Sequence, residues 1–564
     1  MNLREFNAGR RPAPRMLHHS ASGCYAIIHF GLNTYTDKEW GYGGEDPALF
    51  APEHFDAEEI VKNCRACGLD GLILVCKHHD GFCLWPTATT QYNISRSPFR
   101  GGKGDMVREF SDACRKYGIR MGFYVSPWDR NHPRYGKPEY PAVYREQLRE
   151  IYSNYGPAFE AWFDGANGGD GWYGGACESR SIDRASYYDW DTTWKLIRHL
   201  QPEAAIFSDV GPDLRWVGNE KGLADPEAFA CYTPHAPEPE TEPAPGCTCY
   251  QEGEQGHPDG LYHIPPECDV PLRGGWFYHS SDDARLRSVN ELLEIYLRSV
   301  GCGGYLNLGL APMPDGRLAE GDILRLREWK KAVDALFSHP VIQCEAPLTD
   351  GECVIEFPEE SEFNLLELAE FMDDGEKILR YEVQLRSGGV FRPLISGRAV
   401  GRRRLKKLQG TVRGDALRIR ILESCAPLST IRAACYAAAF PEKNAVSGSH
   451  PDYLKIPHRV DGAEWICELD AEMPIRGFVF TPDGTLPEGT PDRYELLLST
   501  DGKTWRSAAA GEFSNLKANP LPQQIMLEEV ERVRFCRLRA VRMLIPGSRL
   551  AGMESGVLTV PENQ

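Results

Sequence analysis

A (β/α)8-like TIM barrel followed by two all-β sandwich domains is the α/β fold class that three features of the sequence predict. First, from residue 22 to about 340, short apolar runs alternate with amphipathic helical patterns, each closing on Gly or Pro. Second, strand after strand there ends in polar side chains: His29, then His78, His79 and Asp80, then Ser126, Asp164 and Asp209. A closed barrel gathers its strand ends at one mouth, whereas an open doubly wound sheet concentrates them at one switch point, so this spread favours closure. Third, beyond residue 340 the pattern changes to short strands parted by Gly and Asp turns. The expected domains are residues 1–340, 341–442 and 443–564, since 564 residues exceed what one core serves.

Within the barrel, Asp56 is the expected N-cap of a helix whose Ile60, Val61, Cys64 and Cys67 form one apolar stripe and which Gly68 stops. Residues 71–76 follow as a buried strand. Asp105 opens the next helix, with Val107, Phe110, Cys114 and Tyr117 inward, and Gly118 closes it before a strand at 119–125. A helix over 143–155, a strand at 158–163, a helix ending near Leu200 and a strand at 204–208 continue the alternation. The last repeat is a helix at 292–300, a strand at 305–310 and a helix from about 321 to 337. In the β region, residues 353–357, 381–385 and 416–421 belong to one sandwich, and 464–469, 476–480, 494–498 and 533–541 to the other. Asp501-Gly502 marks a hairpin turn. The basic run Arg402 to Arg404, with Lys406 and Lys407, is expected to be a solvated strand edge.

The formal charge of −18 argues against nucleic acid, which needs basic patches to neutralise phosphate. A neutral polyhydroxyl ligand suits it better, and the 10% aromatic content supplies rings to stack on sugar faces. No stretch approaches the roughly 20 apolar residues that span a bilayer, so no membrane partner is expected. Met1 to Arg15 is charged and Pro-rich, without the apolar core of a signal peptide, and the 18 cysteines read as reduced core residues; both predict a cytoplasmic, bacterial location. Cys64 and Cys67 have no second pair at zinc spacing, which leaves them as core thiols.

Asp164, in Trp162-Phe163-Asp164-Gly165, follows an apolar strand and precedes Gly, the pattern of a carboxylate held at the barrel mouth. Glycoside hydrolysis with retention uses two carboxyls, one attacking the anomeric carbon and one handling the proton. On spacing alone, a structural rim acid is an equal alternative. His29, His78 and His79 end two strands; neutral imidazoles there hydrogen-bond sugar hydroxyls, and the same residues with Asp164 could instead ligate a metal.

Five separated segments occur in order: His29-Phe30-Gly31, Glu39-Trp40, His78-His79-Asp80-Gly81-Phe82, Trp162-Phe163-Asp164-Gly165 and Gly275-Trp276-Phe277-Tyr278-His279. With Ser299-Val300-Gly301 and Tyr305-Leu306-Asn307-Leu308, this series resembles the α-L-fucosidases of glycoside hydrolase family 29 over roughly residues 20 to 340. The resemblance implies a retaining exo-α-L-fucosidase that takes fucosylated oligosaccharides or glycoconjugates and needs no cofactor and no metal. It maps the nucleophile onto Asp164 and the fucose pocket onto His29, Glu39, Trp40, His78, His79, Tyr124 and Trp162. Gly211 to Glu220 is similar to the acid/base motif of the subgroup acting on α-1,3/1,4-linked fucose in Lewis-type glycans. This implies Glu220 as acid/base, with Asp213 a weaker rival, and Arg215 as a sugar ligand. Glu267 and Asp269 resemble a rim segment that contacts the galactose of such a glycan. Trp40, Trp162 or Phe30 would wall the C6 methyl group. The stretch Ser499 to Trp505 is similar to discoidin-like and family 32 carbohydrate-binding modules, although packing against the barrel is the simpler role for that domain. Two rivals are a metal-dependent amidohydrolase-type barrel, which expects a His-x-His pair where this chain has His29-Phe30-Gly31, and a fucose lectin without chemistry.

Overall fold

The computed structural model describes residues 2–441, 453–483, 489–513, 515–516, 520, 522–545 and 547–560. Eight parallel strands close into a barrel: β1 (Cys24–Ile28), β2 (Gly71–Lys77), β3 (Arg120–Val125), β4 (Ala158–Trp162), β5 (Ala205–Ser208), β6 (Leu214–Trp216), β7 (Pro266–Pro271) and β8 (Tyr305–Leu310). Neighbours in sequence are neighbours in the barrel, and β1 closes it by pairing both β2 (Ala26 with Leu72) and β8 (Cys24 with Leu306). The predicted punctuation holds. Asp56 accepts hydrogen bonds from the N–H groups of Glu58 and Glu59 at the start of the helix Ala57–Ala66. Asp105 caps Met106–Tyr117, and Gly118 ends it at φ +67°, where a side chain would be strained.

Two strands were not expected. Residues 214–216, within the acid/base-like motif, and 266–271, read as a rim segment at Glu267 and Asp269, are β6 and β7. They look unlike buried strands because Arg215, Glu267 and Asp269 interrupt the apolar pattern. Glu267 and Asp269 instead join a polar cluster with Tyr25, Glu160 and Asn307, all nearly without solvent contact. β5 also runs into β6 with no helix between them.

After the helix Glu320–Phe337, a six-stranded antiparallel sheet spans Pro340 to Tyr436 and closes over a core that includes Phe363, Leu366, Tyr381, Leu417 and Ile431. The basic run on it is no solvated edge. Arg404 is 1% exposed and donates to the carbonyls of Pro226 and Ala228, Arg403 meets Tyr296, and Lys406 pairs with Glu227. These guanidinium and ammonium groups satisfy barrel carbonyls and acids that a bare sheet face would leave unpaired. A further antiparallel sheet runs from Tyr453 to Thr559 around Trp465, Phe478, Phe480, Leu496 and Leu538. Its Asp501 accepts from the N–H groups of Lys503 and Thr504, with Gly502 at φ +70°, as the Asp-Gly turn predicts. The expected boundary at 442/443 lies outside the described residues. The chain divides into two compact units, one of Met1–Asp37, Gly41–His279 and Leu286–Asn444, the other of Lys38–Trp40, Ser280–Arg285 and Ala445–Gln564. All 18 cysteines are free thiols. Among the described residues no helix is long and apolar enough to cross a membrane.

Candidate active site

The barrel mouth assembles its side chains from successive strand ends. His29 follows β1 and continues its ladder, its N–H bonding the carbonyl of Leu310. His78 and His79 follow β2, Tyr124 lies near the end of β3, Trp162 ends β4, and Asp164 comes two residues later. Their rings meet: His29 with His78 at 5.6 Å, His78 with His79 at 4.1 Å, and Tyr124 with Trp162 at 4.8 Å between centroids. Asp164 is fixed from two sides. The Tyr124 hydroxyl donates to Oδ2 at 2.9 Å and the Ala166 N–H donates to Oδ1 at 2.6 Å, while His79 Nε2 lies 3.8 Å from Oδ2. The Asp164 side chain keeps 22% of its surface exposed, so it faces the opening rather than the core.

Burial holds all three histidines well below the ordinary imidazole range, so they are neutral at neutral pH. Their hydrogen bonds then carry direction. Ser126 Oγ donates to the Trp128 carbonyl, so it accepts from His79 Nδ1–H and leaves Nε2 as the acceptor on the Asp164 side. His29 Nδ1 is buried with no partner among the described residues, an arrangement suited to a ligand hydroxyl. Asp164 itself is pushed up by burial, opposed by the bonds from Ala166 and Tyr124 that favour its ionised form.

Glu220 enters from the loop after β6. Gly218 is required there: at φ +93° it passes so near Tyr250 that a Cβ would sit 2.1 Å from the Tyr250 carbonyl oxygen. Asn219 Oδ1 then accepts from Lys221 and Leu223 N–H, shaping the turn. The indole of Trp276 donates to Glu220 Oε2 at 2.9 Å, and the same ring lies 5.0 Å from His29. One connected chain therefore runs Asp164, Tyr124, His29, Trp276, Glu220. The segment Gly275 to His279 pointed to Trp276, but nothing in the sequence singled out its role.

Several expected ligands serve the scaffold instead. Arg215 is fully buried and commits its guanidinium to the carbonyls of Gly253, Phe229 and Ile264, a structural clamp rather than a sugar contact. Glu267 lies inside the barrel, accepting from Tyr25, Trp162 Nε1 (2.9 Å) and Asn307 (3.0 Å), so it supports the pocket wall and does not line the rim. Asp269, 2% exposed, accepts from Asn307 at 2.9 Å and belongs to the same interior cluster. Asp213 is held by Arg15 and Arg198, and these cations drive its carboxyl below the usual range, which removes it as a proton donor. Phe30 packs among Phe50, Phe55 and Tyr35 behind the strand end. Glu39 and Trp40 fall in the second compact unit.

Two further groups carry weight: Lys77, which sequence reasoning missed, and Asp209, which it named only as a polar strand end. Lys77 Nζ, fully buried at the end of β2, meets Asp129 (3.1 Å), Tyr140 (3.0 Å) and Gln147 (2.9 Å) directly beneath the histidine pair. Asp209, after β5, accepts from Gly246 N–H at 2.7 Å and Tyr250 OH at 3.3 Å; burial, with the Asp164 charge adding, raises it to about 7. Gly165 makes room for it, since a Cβ there would meet Asp209 Oδ2 at 2.0 Å. Between Asp164 and Glu220, strands Gly169–Gly171 and Glu178–Arg180 pair, and Arg130 and Arg180 tie them to the loop after β3. Three ligand atoms within 4.8 Å of one another occur among the described residues at His235, Glu252 and His257 and at His19, Glu160 and Glu267; the histidines beside Asp164 form no such group.

Comparison with known proteins gives concordant results. The family model described as Alpha-L-fucosidase matches residues 15–332. Alpha-L-fucosidase 1 of Arabidopsis thaliana is 33% identical over 444 residues, covering 72% of this chain and 84% of that protein. The solved structure of a glycoside hydrolase 29 family member from an unknown rumen bacterium is 35% identical with a TM-score of 0.72, covering 98% of this chain and all of that one. The structure of SpGH29 is 33% identical with a TM-score of 0.68, covering 77% of this chain and 99% of that one.

Proposed function

The chain belongs to the α-L-fucosidase family, glycoside hydrolase family 29, and from that premise we propose that it releases terminal L-fucose with retention, Asp164 acting as nucleophile and Glu220 as acid/base. The observation that carries this reading is the fixing of Asp164 by Tyr124 and Ala166 at a mouth where Trp276 presents Glu220. In the first step Asp164 attacks the anomeric carbon, the glycosidic C–O bond breaks, and Glu220 gives its proton to the leaving oxygen. A fucosyl ester on Asp164 results. In the second step Glu220 takes a proton from water, the water oxygen attacks the same carbon, and Asp164 is released; two inversions give net retention. The ionised Asp164 also stabilises the positive charge that develops on the sugar. His29 and His79, neutral and oriented, hold the ring hydroxyls, and Trp162 gives the methyl group an apolar face.

The preferred linkage in this proposal is α-1,3/1,4, on Lewis-type branched glycans. Its support is the motif ending at Glu220; Arg215, Glu267 and Asp269 add none, because each is committed inside the scaffold. A linkage panel tests it. Lewis a and Lewis x trisaccharides are expected to be cleaved at least tenfold faster than 2′-fucosyllactose, with fucose released first as the α anomer by proton NMR. Faster cleavage of 2′-fucosyllactose overturns the linkage, and initial release of the β anomer overturns retention.

A further inference from the structure

We propose that His235, Glu252 and His257 form a binding site for one zinc-class divalent cation, separate from the candidate catalytic pocket. His235 Nδ1 lies 2.8 Å and His257 Nε2 lies 3.7 Å from the same oxygen, Glu252 Oε2, and all three ligand atoms fall within 4.8 Å of one another. A tetrahedral zinc with bonds of about 2.0–2.2 Å needs its donors roughly 3.2–3.6 Å apart, so small side-chain adjustments admit the ion. Two imidazoles and one carboxylate are a donor set that zinc takes readily, with water completing the sphere.

The three ligands stand on pieces of backbone already tied together. The carbonyl of His235 accepts from Thr248 Oγ1 (3.0 Å) and Cys249 N–H (2.9 Å). The N–H of His257 bonds the Cys231 carbonyl at 2.8 Å, and its ring stacks on Tyr232 at 5.1 Å with 15° between planes. Glu252 lies in the short helix Tyr250–Gln255. The site is partly open, the side chains being 55%, 34% and 21% exposed for His235, Glu252 and His257. One contact opposes loading: Thr233 N–H approaches His257 Nδ1 at 3.2 Å, so in the free protein that nitrogen carries the lone pair. Coordination through Nε2 moves the ring proton to Nδ1 and gives up this bond, which makes the expected affinity micromolar rather than nanomolar and weaker in acid.

The consequence reaches the pocket. The segment between the two histidines supplies Gly246 N–H and Tyr250 OH to Asp209, which packs beneath Gly165 of the Asp164 loop. A cation at this site therefore staples the segment that supports the nucleophile from outside, without touching the reacting atoms.

The test is calorimetric titration of the chelator-treated, desalted full chain with zinc chloride at pH 7.5, run beside His235→Ala/His257→Ala and Glu252→Gln. The wild type is expected to take one equivalent with micromolar affinity that the double variant loses and E252Q weakens at least tenfold, and zinc is expected to raise the melting temperature of the wild type alone. The exposed thiols of Cys177 and Cys425 are a second source of zinc binding that both variants retain, so equal stoichiometry and affinity in wild type and double variant overturns the proposal. The absence of any saturable binding to the wild type overturns it equally. Circular dichroism of the variants establishes that they are folded.

Discussion

Tyr124 is the residue on which the electrostatics of Asp164 turn. Its hydroxyl donates to the ionised carboxylate, so removing it leaves burial less opposed and moves the Asp164 pKa further up. Tyr124→Phe should therefore shift the acid limb of the kcat/KM profile to higher pH. At the optimum it should lower kcat/KM on the order of ten- to a hundredfold, the worth of one hydrogen bond to a charged group at about 1.5–3 kcal/mol. An acid limb that stays in place or moves down would detach Tyr124 from the nucleophile. The alkaline limb belongs to Glu220, which must carry its proton into the first step. Glu220→Gln should flatten that limb with an activated aryl fucoside, and an unchanged bell would remove Glu220 from the acid/base role. Asp164 and the histidines were legible because a reactive residue at the end of an apolar strand breaks the pattern. Arg215, Glu267 and Asp269 break it too, yet they face the polar interior of the scaffold, and one-dimensional spacing cannot distinguish the inside of a barrel from its mouth.

At the level of elements, the strand end that carries His78 and His79 rests on Lys77. Its ammonium and the Asp129 carboxylate are both without solvent contact, and Asp129 in turn accepts from Asn131 and His132 N–H to shape the loop after β3. Lys77→Met leaves a buried carboxylate uncompensated and should cost about 3–5 kcal/mol of unfolding free energy, measured by urea denaturation; a loss under 1 kcal/mol would show that Asp129 finds another partner. A lysine after an apolar strand looks in sequence like an ordinary polar terminus, which is why this support was not foreseen. The helices Ala57–Ala66 and Met106–Tyr117 were foreseen because capping is local chemistry: Asp56, Asp105 and Gly118 do their work within four residues. β6 pairs with β7 and β7 with β8 across 51 and 38 residues of chain, Arg215 pairing Pro266 and Glu267 pairing Tyr305, and no local pattern encodes that.

Across the whole molecule, buried groups set two opposing pH dependences. Glu370 accepts from the N–H groups of Lys377, Ile378 and Gly401, and burial raises it to about 7 from 4.5. The folded state therefore holds a proton that the unfolded chain has released, so this contribution is full below about pH 4.5 and is lost as pH rises toward 7. His19 and His263 act in reverse: burial lowers them to about 3 and about 4, and their contribution is lost as pH falls below 6.5. The stability difference between wild type and Glu370→Gln should shrink by about 3 kcal/mol between pH 4.5 and 7; a difference flat in pH would contradict the raised carboxyl. The barrel and its β-rich continuation were legible at this scale because alternation and turn chemistry are dense along the chain. The anchoring of the first sheet by Arg403 and Arg404 was not, since Arg404 donates to carbonyls 178 and 176 residues earlier and Arg403 to the Tyr296 hydroxyl 107 residues earlier. The account as a whole stands on a covalent bond forming at Asp164 during turnover. Mass spectrometry of the intact chain after incubation with a 2-fluoro-fucosyl fluoride, followed by peptide mapping, measures that directly: one fucosyl adduct on the peptide containing Asp164, absent in Asp164→Asn, is the predicted result, and an adduct on any other carboxylate would contradict it.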